Sequence, residues 1–179
     1  MDAYGNTLAA VNVPVTGFVA VNFTATQPPS FNSIATGALP TGYEYLGLLT
    51  DDGGYSEDFR VGDLVQLFDG RFYRCDDESA SFTVTCAEDN PTVRVLLGVT
   101  GDTPQAKARA GAAISREIGV VAVTKYANGA QTVRGGIANI TDVSHGDGER
   151  GSVATAEIEF QWRFSPNIDG YYRVVNIEP

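Results

Sequence analysis

The residues able to do chemistry in this sequence are few and scattered. One histidine, His145, sits in the run SHGDGERG, where flanking glycines make it a surface turn residue rather than a general base. Glu157 and Glu159 stand two apart, the spacing of one strand face. Paired carboxylates can act as acid and base, but on an open strand they read as a solvated stripe. The carboxylates of residues 50–58 hint at calcium, yet they lack the alternating Asp/Asn spacing and terminal glutamate of an EF-hand. Cys75 and Cys86 are the only thiols. A hairpin turn centred on Glu78 would set Cys75 against Phe82, so the sequence predicts two free thiols, with Cys86 in the core. No CxxC, HExxH, GxSxG or phosphate-binding glycine loop is present. The expectation is a protein without catalysis, cofactor or metal.

Length and charge narrow the remaining classes. A chain of 179 residues, 43% hydrophobic, is large enough for one domain, residues 1–179, with a real core. Lysine and arginine number 12 against 22 acidic residues, a net charge of −10. Such a surface repels nucleic acid and anionic membrane. It serves either plain solubility or a wall that must lie near DNA without holding it, and composition does not separate the two. The leading MDAYGNTLAA has neither the basic nor the apolar region of a secretory signal, and no apolar run approaches the ~18 residues of a membrane span. The expected site of synthesis and residence is the cytoplasm, unless the chain is carried out within something larger.

The elements that would position these residues are mostly strands. Four Asp-Gly pairs (Asp52-Gly53, Asp69-Gly70, Asp147-Gly148, Asp169-Gly170) and Asn128-Gly129 supply hairpin-turn chemistry. Between them lie β-rich runs at 16–23, 43–49, 64–68, 71–76, 81–86, 118–125, 132–143, 153–164 and 171–177, the spacing of a sandwich or barrel. Ile158, Phe160, Trp162 and Phe164 alternate with Glu157, Glu159, Gln161 and Arg163, predicting one buried face and one facing solvent, a lumen or a partner. Phe82, Val84 and Cys86 alternate with Ser81, Thr83 and Thr85 in the same way. One short helix is signed by Asn90 as N-cap, Pro91 in the first turn and Gly98 beyond the end, with Val93, Leu96 and Leu97 on one face. Residues 104–114, alanine-rich but broken by Gly111, read as helix or loop. Tyr43, Tyr45, Tyr171 and Tyr172 suit an interface as well as a core edge. Residues 1–14 read as a flexible N-terminal arm, and 50–63 as a long acidic loop, the kind that is usually functional or disordered.

The order of these elements resembles the major tail tube proteins of long-tailed, siphovirus-type bacteriophages. The likeness spans nearly the whole chain. It is carried by Val15–Val21 as a first tube strand, Pro40–Gly47 running into Asp52-Gly53, Leu64–Gly70 with Phe68 where tryptophan is common, and above all Ser81–Gly98 with its Asn90-Pro91 helix start. Gly136–Val143, Val153–Phe164 and Asp169-Gly170 are similar to the closing segments. The alanine-rich 103–113 has no place in the pattern, and no immunoglobulin-like decoration follows the last strand.

The resemblance implies a mainly β (α+β) fold, a β-sandwich or half-barrel of the tail-tube type with one short helix and long loops. It also implies a structural subunit whose partners are copies of itself, in usually hexameric rings stacked into a tube. The further partners it implies are a tape measure protein in the lumen, tail terminator and tail-tip proteins, and passing DNA that is not specifically bound; a membrane is not among them. The expected location is the virion tail, assembled in the host cytoplasm. Asp51, Asp52, Tyr55, Glu57, Asp58 and Phe59 fall where the family carries its inter-ring loop. Glu157 and Glu159, then Asp76, Asp77 and Glu78, are the candidate lumen carboxylates. Another ring-forming tail component, a terminator or distal-tail protein, or a free β-sandwich binding module are the alternatives.

Overall fold

The computed structural model describes residues 13–36, 38–50, 55–74, 78–100, 107–108, 117–145 and 153–178. In chain order the elements are β1 (Pro14–Asn22), α1 (Phe31–Ala35), β2 (Glu44–Tyr45), β3 (Tyr55–Arg60), β4 (Leu64–Gln66), β5 (Phe72–Arg74), β6 (Ser79–Cys86), α2 (Pro91–Leu96), β7 (Val99–Thr100), β8 (Lys107–Ala108), β9 (Glu117–Tyr126), β10 (Gln131–His145), β11 (Ala156–Trp162) and β12 (Tyr172–Ile177). The fold is mainly β, as expected, with two short helices where the sequence signed one.

An antiparallel sheet of eight strands runs β2-β1-β9-β10-β11-β6-β3, and its spine is β10. Fifteen residues long, β10 takes β9 along one edge. Its other edge is shared end to end, with β12 on Gln131–Gly136 and β11 on Ala138–His145. A bulge at Thr141 shifts the β10–β11 register and increases the local twist. The β9–β10 connection is the Asn128-Gly129 turn, with Gly129 at φ 88°, a value that favours glycine.

Twist curls the sheet into a half-barrel. Its inner face holds Val19, Val21, Ile118, Val120, Ala122, Ala138, Ile140, Ile158, Phe160, Trp162, Phe82, Val84 and Cys86 in one buried cluster, with Leu46 and α2 residues Val93 and Leu96 closing it. Phe82 stacks on Phe160 at 4.7 Å and lies 4.4 Å from Trp162, so aromatic offset contacts add to burial at the centre. Over β9, β12 and the first half of β10, the outer face is covered as well. There Ile34 of α1 packs on Val121, Val123 and Val133. Gly135 and Gly136 make both contacts possible, because a Cβ on the first would strike Pro29 and on the second Tyr171 and Trp162.

The helix predicted from Asn90 forms as read. Its side chain accepts a hydrogen bond from the Val93 amide at 2.9 Å, and Gly98 takes a positive φ of 72° beyond the C-cap. Three expectations are corrected. Residues 55–60 are not loop but strand β3, paired with β6 over Tyr55–Arg60. The hairpin about Glu78 does not form: β5 pairs with β4, while β6 lies between β11 and β3. The strand expected to reach Phe164 stops at Trp162, leaving Phe164 exposed against Tyr171. Of the N-terminal arm expected over residues 1–14, Pro14 already opens β1, and of the alanine-rich 103–113 Lys107–Ala108 is strand β8 paired with β7 rather than helix or loop; residues 1–12, Cys75, 103–106 and 109–113 lie outside the described residues.

Candidate acidic wall and assembly elements

Among the described residues nothing packs on the outer face of β3, β6, β11 and the second half of β10, and register shows what this bare face presents. One row across four strands reads Ser56, Thr83, Glu159, Asp142. A second reads Asp58, Ser81, Gln161, Asn139 and continues to Glu117 on β9. A third sets Thr85, Glu157 and Ser144 side by side. Every residue in these rows is a hydroxyl, an amide or a carboxylate, and none is a cation. The strands can carry such a face because the alternate residues Phe82, Val84, Ile158 and Phe160 are fully buried beneath it. Two cations mark the rim of this face: Arg60, opposite Ser79 at the end of β3, and Arg163, in an ion pair with Glu117. Like charges directly opposed across strands, as Asp142 and Glu159 are, oppose folding slightly.

Glu157 and Glu159 therefore lie where the alternation put them, on the face away from the core. Asp142 and Asp58 join them through pairing that no local pattern reveals. Glu78 is exposed near the start of β6, where its carbonyl accepts the Tyr171 hydroxyl at 2.7 Å. Asp76 and Asp77 are outside the described residues, as are Asp51 and Asp52.

Strand β3 divides the remaining candidates. Asp58 faces outward, whereas Tyr55 and Glu57 point inside the half-barrel. The Glu57 carboxylate meets the Arg134 guanidinium at 3.0 Å, with both side chains only 19% exposed. Arg134 also lies 5.7 Å from the centre of the Tyr55 ring, a cation–π contact. Burial works against the charge on Arg134, but Tyr55 and Glu57 outweigh it and hold its pKa above the ordinary arginine value. Burial, then Glu57, pushes the Tyr172 hydroxyl up to about 12. Phe59 is half exposed, its ring edge-on to Tyr171 and Tyr172.

This ion pair floors a cavity of about 650 Å³ at the open end of the half-barrel. Its walls are β1 residues 14–19, residues 48–50, the start of β3 and the end of β9. The cavity exists because the sheet does not close. Along Pro14–Phe18 β1 pairs with β9 alone, since β2 joins it only at Ala20 and Val21. Among the described strands none pairs with the outer edge of β3 either. Inside, the Tyr55 hydroxyl and the Oε1 of Glu57 are buried without a hydrogen-bond partner.

The runs expected at 64–68 and 71–76 form the strands about Asp69-Gly70, but they stand apart from the main sheet, which the sequence reading did not foresee. Strands β4 and β5 form a separate hairpin about Asp69-Gly70, with Gly70 at φ 81°. It carries Leu64, Val65, Leu67, Phe68, Phe72 and Tyr73 exposed, and Phe68 is fully in solvent. Among the described residues no other element packs on it extensively. The turn dipeptide and the flanking apolar residues were the available signals.

Among the described residues no three of His, Cys, Asp and Glu converge as a metal site. His145 ends β10, exposed. Cys86 is a buried free thiol whose pKa burial raises to about 11, so it stays protonated at neutral pH.

A scan of known protein families finds no match, and neither does a search of curated proteins. Solved structures give low-level likenesses. A chain of the virion of a native gene transfer agent particle is 15% identical, with 76% of this chain and 92% of that chain covered and a TM-score of 0.43. A chain of the sheath-tube complex of an extracellular contractile injection system in its extended state is 11% identical, with 96% of each chain covered and a TM-score of 0.45. The terminating cap of the anti-feeding prophage tube gives 9% identity, full coverage of both chains and a TM-score of 0.41. Similarity at these values transfers no role, so the function is argued from the wall, the open edges and the hairpin.

Proposed function

We propose that this chain is a structural subunit of a phage-type tail tube. Its copies form stacked, hexameric rings, and the bare face of β3, β6, β11 and β10 lines the lumen through which the genome passes. The tape measure protein occupies that lumen before ejection, and terminator and tip proteins cap the two ends. The observation that carries the reading is the acidic wall itself, with Asp58, Asp142, Glu157 and Glu159 on a surface of serine and threonine and the arginines Arg60 and Arg163 only at its rim. Fixed negative charge repels phosphate, so DNA slides without a binding minimum. Unpaired edges on β1 and β3 support self-assembly, because exposed strand edges are hazardous in a free monomer and useful in a closed ring. The sequence resemblance points the same way. No step of bond chemistry is required of any residue.

The test begins with negative-stain microscopy of concentrated protein, where hollow tubes are the expected result. Glu157→Cys and Glu159→Cys variants in tubes should react with a small maleimide and resist one attached to a large polymer that cannot enter the bore. Glu157→Lys/Glu159→Lys tubes should assemble yet retain DNA, most strongly at low salt. A protein that stays monomeric at millimolar concentration, or cysteines that react freely with the large reagent, would remove the proposal.

A further inference from the structure

The hairpin and the cavity are complementary features that one molecule cannot bring together. Phe68 at the hairpin tip is fully exposed, so it does not occupy its own chain's cavity. Glu57 lies at the cavity while the hairpin leaves from the far end of the same strand, beyond Arg60 and about 10 Å further along at strand rise. We propose that the β4–β5 hairpin of one copy seats in the open half-barrel of the next, between the free edges of β1 and β3. This rests on the self-assembly reading above and specifies its contact.

Three observations select a second copy as the occupant. First, the hairpin exposes apolar side chains along its length with no described element packed extensively on it, and an isolated two-stranded hairpin is marginal in water. Its exposed apolar side chains amount to roughly 700 Å², counting aromatics at about 150–250 Å² each when fully open, close to the ~800 Å² per partner of a standard interface. Second, the cavity mouth offers matching apolar wall in Val15, Leu48 and Leu49 and enough volume for the two tip phenylalanines, Phe68 and Phe72. Third, the cavity has unmet polar demand. The Glu57 Oε1 acceptor and the Tyr55 hydroxyl are buried and unpartnered, and the hairpin tip brings the Arg71 guanidinium and turn amides. The free edges of β1 and β3 can each add backbone hydrogen bonds to an entering strand. Because knob and hole lie on different parts of one surface, the contact is head-to-tail and propagates from copy to copy, closing into rings or extending as a stack.

The test uses the full chain in a Cys75→Ser/Cys86→Ala background. Phe68→Cys protein with one affinity tag is mixed with Leu48→Cys protein carrying another, assembled and oxidised. The expected product is a disulfide between the two populations, absent when either is oxidised alone. In parallel, Phe68→Asp should leave circular dichroism unchanged, because the side chain touches nothing in the free subunit. It should raise the concentration needed for assembly by about tenfold or more, as loss of a central aromatic anchor does. Assemblies that form without the cross-link, Phe68→Cys subunits that couple to themselves, or Phe68→Asp protein that assembles like the parent would each overturn this contact while leaving the tube reading intact. Failure of the parent to assemble at all would overturn both.

Discussion

Replacing Glu159 by lysine should stabilise the unassembled subunit, contrary to the usual outcome of changing a residue in a central strand. Glu159 on β11 stands opposite Asp142 on β10, both on the bare face, with Thr83 on the other side. Directly paired strand residues hold their side chains about 5 Å apart. Two unit charges at that distance interact by about 0.8 kcal/mol in a water-like dielectric. Turning that repulsion into attraction could change stability by about 1.6 kcal/mol, and exposed pairs realise half of such a figure or less. The expected gain is therefore about 0.5–1 kcal/mol. It should be largest near 10 mM salt and nearly absent at 1 M, where the screening length falls to about 3 Å. Urea unfolding below the assembly concentration, at both salts, measures it. In an Asp142→Asn background the gain should fall to less than half, because the charge opposite has gone. Destabilisation by more than about 1 kcal/mol, or a gain insensitive to salt, would show that the two carboxylates do not share a solvated face, and the acidic wall would lose its basis.

Gly136→Ala should cost about 1–3 kcal/mol in thermal or urea unfolding, since its Cβ would lie 2.8 Å from the Tyr171 carbonyl and 3.0 Å from the Trp162 ring. Asn90→Ala should cost about 1 kcal/mol through the lost cap on α2, with Asn90→Asp recovering most of it. Burial raises Tyr43, and burial followed by Glu57 raises Tyr172, each from 10.0 to about 12. For a folded pKa above the unfolded one, the stabilisation is complete below pH 10 and lost as pH rises through 12. Tyrosinate absorbance should thus show a late fraction that ionises together with unfolding, and a Tyr43→Phe/Tyr172→Phe variant should reduce it, leaving Tyr55, which burial also raises.

What was legible in the sequence followed how local each signal is. Helix α2 was readable because its cap, its proline and its closing glycine lie within nine residues of one another. Strands β6 and β11 were readable because apolar and polar residues alternate without a break, and both bury the alternate set that was read. Strand β3 was not. Its inward set is Tyr55, Glu57 and Phe59, and a carboxylate at the middle inward position reads as solvent-facing loop. The residue that makes Glu57 tolerable inside is Arg134, which no window around β3 contains. With β3 read as loop, β6 had no partner but β5, and the false hairpin about Glu78 followed. Half of the acidic wall was visible from Glu157 and Glu159, while Asp142 and Asp58 required the register. The β4 and β5 strands and their Asp69-Gly70 turn were legible, whereas their separation from the main sheet was not, because no local pattern says which strands a hairpin will join.

The spine position of β10 has a consequence for the order in which the chain can become structured on the ribosome. Strand β1 meets β2 at only two residues and finds its long partner, β9, about 100 residues later, and β6 needs β11 to cover its second edge. At about 5–20 residues per second, the β1 segment waits roughly 5–20 s for β9 to be made. The β9–β10 hairpin, by contrast, is joined by a tight turn and can zip as soon as both strands emerge. It is therefore the natural nucleus, and most of the apolar N-terminal half exists before it does. Until translation passes residue 145, Val19, Val21, Phe82 and Val84 have no sheet to enter. The chain thus spends much of its synthesis with its future core uncovered, and its yield should depend on chaperone capacity more than on the stability of the finished fold.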